Sequence, residues 1–223
     1  MKLLSLNVGL PQSTVWKGRP VQTAIFKKPV AGRVMVRQLN LDGDRQADLT
    51  VHGGPYKAVY AYPSEHYPFW RQELPDIDLP FGKFGENFTT EGLLEDAVNI
   101  GDRYRVGSAI LQVRQPRTPC YKLAVKFQRD DILQRFLKSG RSGFYFSVDQ
   151  EGEVGAGDEV ELFSRADQSL TVAEVNHLYG NPNAEAEMLS RAAELAALPD
   201  GWRKYFQTKL EERNSAQPAR ASI

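Results

Sequence analysis

The chain has one cysteine and three histidines among 223 residues, and no run of apolar residues long enough to cross a bilayer. A single cysteine excludes an intrachain disulfide and any zinc site built on paired cysteines. A transmembrane helix needs roughly 20 consecutive apolar residues, and no segment approaches that. Charge of one sign is also missing: 28 Lys and Arg balance 28 Asp and Glu. A general nucleic-acid binder draws most of its affinity from phosphate neutralisation, so a net charge of zero argues against that class while leaving room for a local basic patch. Met1–Leu10 is mildly apolar but is interrupted by Ser5 and Asn7, with no small-residue cleavage site after it. It is expected to be a first strand and not a signal peptide. A soluble protein of a reducing compartment, the cytoplasm, is the simplest expectation.

What is present is a β-rich stretch followed by a helical one. Val21–Phe26, Val34–Leu39, Ala58–Tyr62, Phe144–Val148 and Val160–Phe163 have strand composition and are bounded by Gly, Pro, Asp and Asn. Tyr104–Val113 is broken at Gly107-Ser108, which predicts a hairpin or bulge. Such spacing suggests a barrel or sandwich. One helix is expected from Ser64, carrying Phe69, Trp70 and Leu74, with Pro68 near its first turn. Another is expected from Asp130 as N-cap, packing Ile132, Leu133, Phe136 and Leu137 and stopping before Gly140. Thr171 and Glu174 have the form of a capping box opening a third. Ala184–Leu198 and Trp202–Arg213 complete a small three-helix unit, separated by Pro199 and Gly201. The expected division is 1–165, 166–213 and a disordered tail at 214–223.

Three segments carry candidate chemistry. Cys120 follows Pro116-Arg117-Thr118-Pro119, with Arg114, Arg117 and Lys122 nearby. Neighbouring cations favour a thiolate, a soft donor suited to transition metals; the alternative is a small buried core residue. In Val51-His52-Gly53-Gly54-Pro55-Tyr56-Lys57-Ala58-Val59 the paired glycines let backbone N–H groups approach a ligand, bracketed by His52 and Lys57. A tight turn before a strand explains the same pair. In Phe84-Gly85-Glu86-Asn87-Phe88-Thr89-Thr90, Asn87 and Thr89 can hydrogen-bond a heterocycle or phosphate, or serve as turn and cap residues. The acidic run Leu41–Asp48 lacks the closing Glu of a calcium loop. His66 and His177 stand alone and are expected on the surface or a helix. No nucleophile elbow is present.

The order Lys28-Pro29-Val30, Gly43-Asp44-Arg45-Gln46-Ala47-Asp48, His52-Gly53-Gly54-Pro55, Phe84-Gly85-Glu86-Asn87, Gly101-Asp102 and Pro116-Arg117-Thr118-Pro119-Cys120 resembles the MOSC-domain family, named after the C-terminal part of molybdenum cofactor sulfurases. The resemblance is strongest to a branch with three helices after the domain. It implies an α+β chain, a mostly β barrel with a three-helix C-terminal domain. It also implies a cleft for molybdopterin-bound molybdenum, with the Cys120 thiolate as catalytic residue and protein ligand to the metal. Asn87 matches a cofactor-contacting asparagine of the amidoxime-reducing branch. That branch has an arginine where Gly85 stands, and its strand lysine has only Lys27 and Lys28 as neighbours here. His52, Gly53, Gly54, Lys57, Asn87, Thr89 and Arg117 form the expected cofactor-binding set. The activity implied is reduction of N-hydroxylated compounds such as N-hydroxylated purine bases, with electrons from a separate reductase, because no flavin, haem or iron–sulfur motif is visible. The alternatives are a sulfur carrier using a Cys120 persulfide, and a cofactor-binding or delivery protein without turnover. The expected partners are a small-molecule substrate and that reductase, with neither nucleic acid nor membrane. The helical unit has two roles open to it, homodimerisation or covering the cleft.

Overall fold

The computed structural model describes residues 1–48, 52–167 and 169–216. Val51, which opens the glycine-pair segment, and most of the expected tail lie outside the described residues. The first half contains β1 (Lys2–Val8), β2 (Gln12–Trp16), β3 (Arg19–Thr23), β4 (Lys28–Pro29), β5 (Arg33–Val36), β6 (Val59–Pro63), α1 (Tyr67–Glu73) and β7 (Phe88–Glu91). The second half contains β8 (Arg103–Val106), β9 (Ala109–Pro116), α2 (Tyr121–Phe127), α3 (Ile132–Ser139), β10 (Phe144–Gln150), β11 (Gly152–Gly155) and β12 (Val160–Ser164). Three helices follow: α4 (Val172–Leu178), α5 (Ala186–Glu194) and α6 (Asp200–Ala216).

Eight strands form one sheet in the order β12-β8-β9-β10-β6-β7-β1-β4. The expected barrel is not found: the sheet is open. It curls until β1 meets the start of β12, but only through the isolated bridge Lys2↔Glu159 and a few bonds, such as Leu3 N–H to the Asp158 carbonyl at 2.9 Å. A barrel needs a continuous ladder at that seam. The β6–β7 pair is parallel, so its connection must cross over, and α1 lies on that crossover.

Side-chain alternation assigns the two faces of the sheet. Val59 and Ala61 of β6, with Phe144 and Phe146 of β10, enter one apolar cluster. Tyr60 and Tyr62 point the other way, into a second, aromatic cluster with Trp70, Phe84, Leu123, Phe127 and Phe136. Tyr60 pairs with Tyr145 in register, so both tyrosines project from this second face. The aromatic cluster is tied by ring contacts, Tyr62 stacked on Phe84 at 4.5 Å and Trp70 on Phe136 at 6.0 Å, and by Trp70 Nε1–H donating to the Tyr62 hydroxyl at 2.6 Å.

Local sequence explains most ends of elements. Thr171 Oγ1 accepts from Glu174 N–H at 3.1 Å and Glu174 accepts in return from Thr171 N–H at 2.7 Å, so the capping box forms as the sequence predicts. Asp130 is not the N-cap of α3; Asp131 holds that position, and its carboxylate binds Arg129 and Arg135 instead of a helix N–H. Gly143 has φ near +60°, and a Cβ there would lie 2.4 Å from the Ala61 carbonyl, so only glycine lets the chain enter β10 against β6.

The first cluster does not stop at the sheet. Val172, Val175, Leu189, Ala192, Leu198 and Phe206 from the helical unit join the same group as Leu111, Val113 and Phe146. The helices therefore complete the core of the sheet. Phe206→Ala should lower the stability of the whole chain by about 3–5 kcal/mol. Thermal unfolding should keep a single transition, followed by both near-UV and far-UV circular dichroism; a separate early transition for the helices would contradict the shared core.

Candidate functional site

The loop after β9 carries the only cysteine. Arg117 N–H donates to the Gly143 carbonyl at 3.2 Å, continuing the β9–β10 ladder one residue past the strand. Cys120 then occupies the N-cap of α2 in extended conformation. Helix α2 buries Leu123, Ala124 and Phe127 in the aromatic cluster, and this packing fixes where its first residues sit. Cys120 itself is half-buried and faces a cleft between its own loop, the 52–57 loop, the 23–27 segment and the 44–47 segment.

His52 arrives from 68 residues away, its Nε2 lying 3.3 Å from Cys120 Sγ. The turn that delivers it needs its glycines: Gly53 and Gly54 have φ near +88° and +84°, and a Cβ on Gly53 would lie 3.0 Å from the Gln46 side chain. Ala58 N–H bonds the Phe146 carbonyl at 3.1 Å and anchors the far end of the turn to β10. Burial, with Lys122, Lys57 and Arg117 nearby, holds the His52 imidazole below its ordinary pKa. Burial likewise lowers Lys57, which Cys120 opposes. Arg117 is buried with its guanidinium 5.0 Å from the centres of the Tyr60 and Phe136 rings.

The cleft is strongly cationic in a chain of zero net charge. Among the described residues, Lys27, Arg45, Lys57, Arg117 and Lys122 line it, against one carboxylate, Asp44. That carboxylate is already committed: it takes Lys27 Nζ at 2.5 Å, Gly9 N–H at 2.8 Å and Asn87 Nδ2 at 3.0 Å. Two buried donor or acceptor atoms on cleft residues, His52 Nδ1 and Arg117 Nη1, have no partner among the described residues. An unmade buried hydrogen bond costs about 1–3 kcal/mol, which an anionic or polar ligand would offset. The donor set is thus one soft sulfur beside imidazole, ammonium and guanidinium groups, which fits a phosphorylated ligand that carries a soft metal.

The structure brings together His52, Gly53, Lys57, Asn87, Arg117 and Cys120 on one cleft. Two members of the expected set are placed otherwise. Thr89 is fully buried in β7, donating to Glu86 at 3.0 Å and accepting from Asn7 at 3.3 Å, and does not line the cleft. Gly54 shapes the turn without lining the cleft. Asn87 lines it, but its amide is spent on structure: Nδ2 donates to Asp44 and to the Asn7 carbonyl, and Oδ1 accepts from Tyr60 N–H. Lys27 stands in the cleft while Lys28 is exposed on β4. Tyr60 and Tyr145 also line it, a placement legible only from the β6–β10 register. His66 is not on the surface. It is buried against Glu95, Nε2 to Oε2 at 2.8 Å, away from the cleft.

Lys126, on α2, ties the 23–27 segment of the cleft to that helix, donating from Nζ to the Ile25 carbonyl at 2.7 Å and to the Gly82 carbonyl. Burial pushes its pKa down to about 7, against about 10.4 for an unfolded lysine. Between those values the unfolded chain binds more protons than the folded one, so stability rises with pH across about 7 to 10, with a slope of up to about 1.4 kcal/mol per pH unit. Urea unfolding across that range should show the rise, and Lys126→Met should reduce it, leaving the smaller contribution of the other buried lysines. A variant with the slope of the native protein would contradict the assignment.

A profile of the MOSC domain matches residues 48–161, and a profile of the YiiM-like 3-alpha helix domain matches residues 170–213. YflK of Bacillus subtilis (strain 168) is 42% identical over 209 residues, 94% of each chain. A protein of Gibberella moniliformis (strain M3125 / FGSC 7600) named reductase is 33% identical over 181 residues, 80% of this chain and 32% of that one. The crystal structure of YiiM from Geobacillus stearothermophilus superposes with a TM-score of 0.79 at 38% identity, over 94% of this chain and 98% of that one. A cationic cleft around one cysteine, an open curled sheet and three helices completing its core are therefore the features of a member of the MOSC-domain family, in its YiiM-like branch.

Proposed function

We propose that the protein is a molybdenum-cofactor-dependent oxidoreductase that reduces N-hydroxylated compounds, N-hydroxylated purine bases among them. The observation that carries this reading is the placement of one soft sulfur, Cys120 Sγ, within a cleft lined by five cationic side chains. The relative named reductase supports the reaction type.

In this reading Cys120 is the protein's ligand to molybdenum. Lys57, Arg117 and Lys122, with the backbone of Gly53, would hold the phosphate of the pterin. When bound, the cofactor supplies a redox metal that exchanges electrons in pairs. The reaction takes two electrons and two protons, cleaves the N–O bond to leave N–H and releases water. A separate reductase delivers the electrons. His52 stands beside the sulfur and orients it, and its lowered pKa keeps the imidazole neutral and able to hold a single proton. Asn87 acts at one remove, fixing Asp44 and through it Lys27. Tyr60 and Tyr145 close the inner wall, with Arg117 packed over the Tyr60 ring. A reducing compartment, the cytoplasm, keeps Cys120 a free thiol. Among the described residues no helix is long and apolar enough to cross a membrane.

Cys120→Ser should abolish reduction of N-hydroxylated adenine and strip molybdenum, while the fold survives. A serine hydroxyl does not ionise near neutral pH and is a harder donor than thiolate sulfur, and the change in volume is small. The check is turnover with a supplied electron donor and elemental analysis, on matched preparations from a host that makes the cofactor. Native activity and metal content in the serine variant would reduce Cys120 to a packing residue. Turnover that depends on Cys120 but not on molybdenum would favour sulfur transfer.

A second change tests the cationic wall. Arg117→Met removes a buried charge and keeps apolar bulk against Tyr60 and Phe136. Pterin retention should fall about tenfold or more, as for loss of a charge-assisted hydrogen bond of about 1.5–3 kcal/mol. Unchanged pterin content in purified variant protein would exclude Arg117 from phosphate binding.

A further inference from the structure

Thr118 faces two hollows at once. On one side it borders the Cys120 cleft. On the other it borders a hollow of about 300 Å³ walled by Tyr179, Gly201, Trp202 and Tyr205, a volume in the range of small-ligand sites. All four wall residues belong to the three-helix unit. Tyr179 caps α4, and Trp202 and Tyr205 stand three residues apart on one face of α6.

The rings form one set. Tyr179 lies 5.0 Å from Trp202 and 4.9 Å from Tyr205, centre to centre. Tyr205 is fixed in place by Gly180 N–H, which donates to its hydroxyl oxygen at 2.9 Å. Gly201 leaves the floor open: a Cβ there would meet nothing within 4 Å. Tyr179 remains 42% exposed, a large aromatic surface left in water beside the cleft. Trp202, Tyr179 and Thr118 also bring an indole N–H, a phenol hydroxyl and an aliphatic hydroxyl to the walls of the hollow. Aromatic side chains that also carry hydrogen-bonding groups suit a planar heteroaromatic ring that carries nitrogen.

We propose that Tyr179, Trp202 and Tyr205 form a ring-binding subsite that holds the heteroaromatic part of the substrate while its N-hydroxylated end enters the Cys120 cleft past Thr118. The inference rests on the reductase reading for what happens at that end, and on the geometry of the hollow for the ring. It makes the helical unit the specificity element of the enzyme, selecting aromatic N-hydroxylated compounds over ring-free ones.

The test uses full-length protein and two readouts. Binding of adenine is measured by calorimetry, with no electron donor present. Steady-state reduction is measured for N-hydroxylated adenine and for hydroxyurea, which has the N–OH group and no aromatic ring. Base–aromatic stacking predicts that Trp202→Ala and Tyr179→Ala each weaken adenine binding and raise the KM for N-hydroxylated adenine by about fivefold or more. Trp202→Phe, which keeps a stacking face and the apolar packing, should restore both to within about twofold. The kcat/KM for hydroxyurea should not move in any of the three. Cys120→Ser should lower turnover of both compounds and leave adenine binding unchanged.

Native-like adenine affinity in both alanine variants, or a native protein that does not bind adenine, overturns the subsite whatever the turnover. Equal losses for the ring-bearing and ring-free substrates also overturn it, as does a loss seen with a protein electron donor but absent with dithionite, which would mark the rings as the donor's landing surface. Adenine binding that depends on Trp202, in a protein that reduces neither compound, would support the subsite and contradict the reductase reading.

Discussion

Strand β6 is buried on both faces, and the positions of the site residues follow from that constraint. Its five residues all lie in the interior. Val59 and Ala61 must meet apolar partners on one side, and the sheet with helices α4–α6 supplies them. Tyr60 and Tyr62 must meet aromatic partners on the other, and α1, α2 and α3 supply those. Packing α2 against the tyrosine face brings Cys120 to the end of β9, and the paired strand β10 sets Tyr145 beside Tyr60. The glycine-pair turn leads into β6, whose first residue Val59 lies across β10 from Val113, and it folds back so that His52 reaches Cys120. Every one of these contacts depends on a register that a single-residue slip would reverse.

Electrostatics gives the cleft its chemical character. The chain as a whole is neutral, yet the lining carries five cations and one carboxylate that is already hydrogen-bonded three ways. Desolvation penalises each buried charge, which is why burial lowers both Lys57 and Lys27. Charge of this kind is tolerated where an anion is to be bound. The sulfur at its centre adds a soft donor, which suits an anion that would bring a metal with it.

Some of this was legible in the residues. The rigid Pro116–Pro119 loop with its cations, the glycine pair and the Thr171 capping box are local signals, and each lies where local chemistry places it. The β8–β9 hairpin about Gly107 is likewise local. Long-range pairing hid the rest. β7 reads as turn and ligand residues because Thr89 and Thr90 are polar, yet buried hydrogen bonds to Glu86 and Asn7 satisfy Thr89 inside the sheet. The β2–β3 hairpin turns at Lys17-Gly18, both at positive φ. Helix α2 is short and directly follows prolines, so its periodicity was too brief to read. Whether the sheet closes depends on pairing between residues near 2 and 159, which no local pattern records. His66 has no sequence cue, because its partner Glu95 is 29 residues away.

The central claim is that Cys120 and the surrounding cations together hold a metal-bearing pterin. The most direct measurement is X-ray absorption at the molybdenum edge, with pterin quantified on the same sample, on native protein purified from a host that makes the cofactor. The account predicts stoichiometric molybdenum and pterin, with a metal–sulfur shell that includes one thiolate from the protein beyond those of the pterin. Protein that emerges well folded from such a host without molybdenum, or with the metal bound and no protein sulfur in its shell, would contradict it.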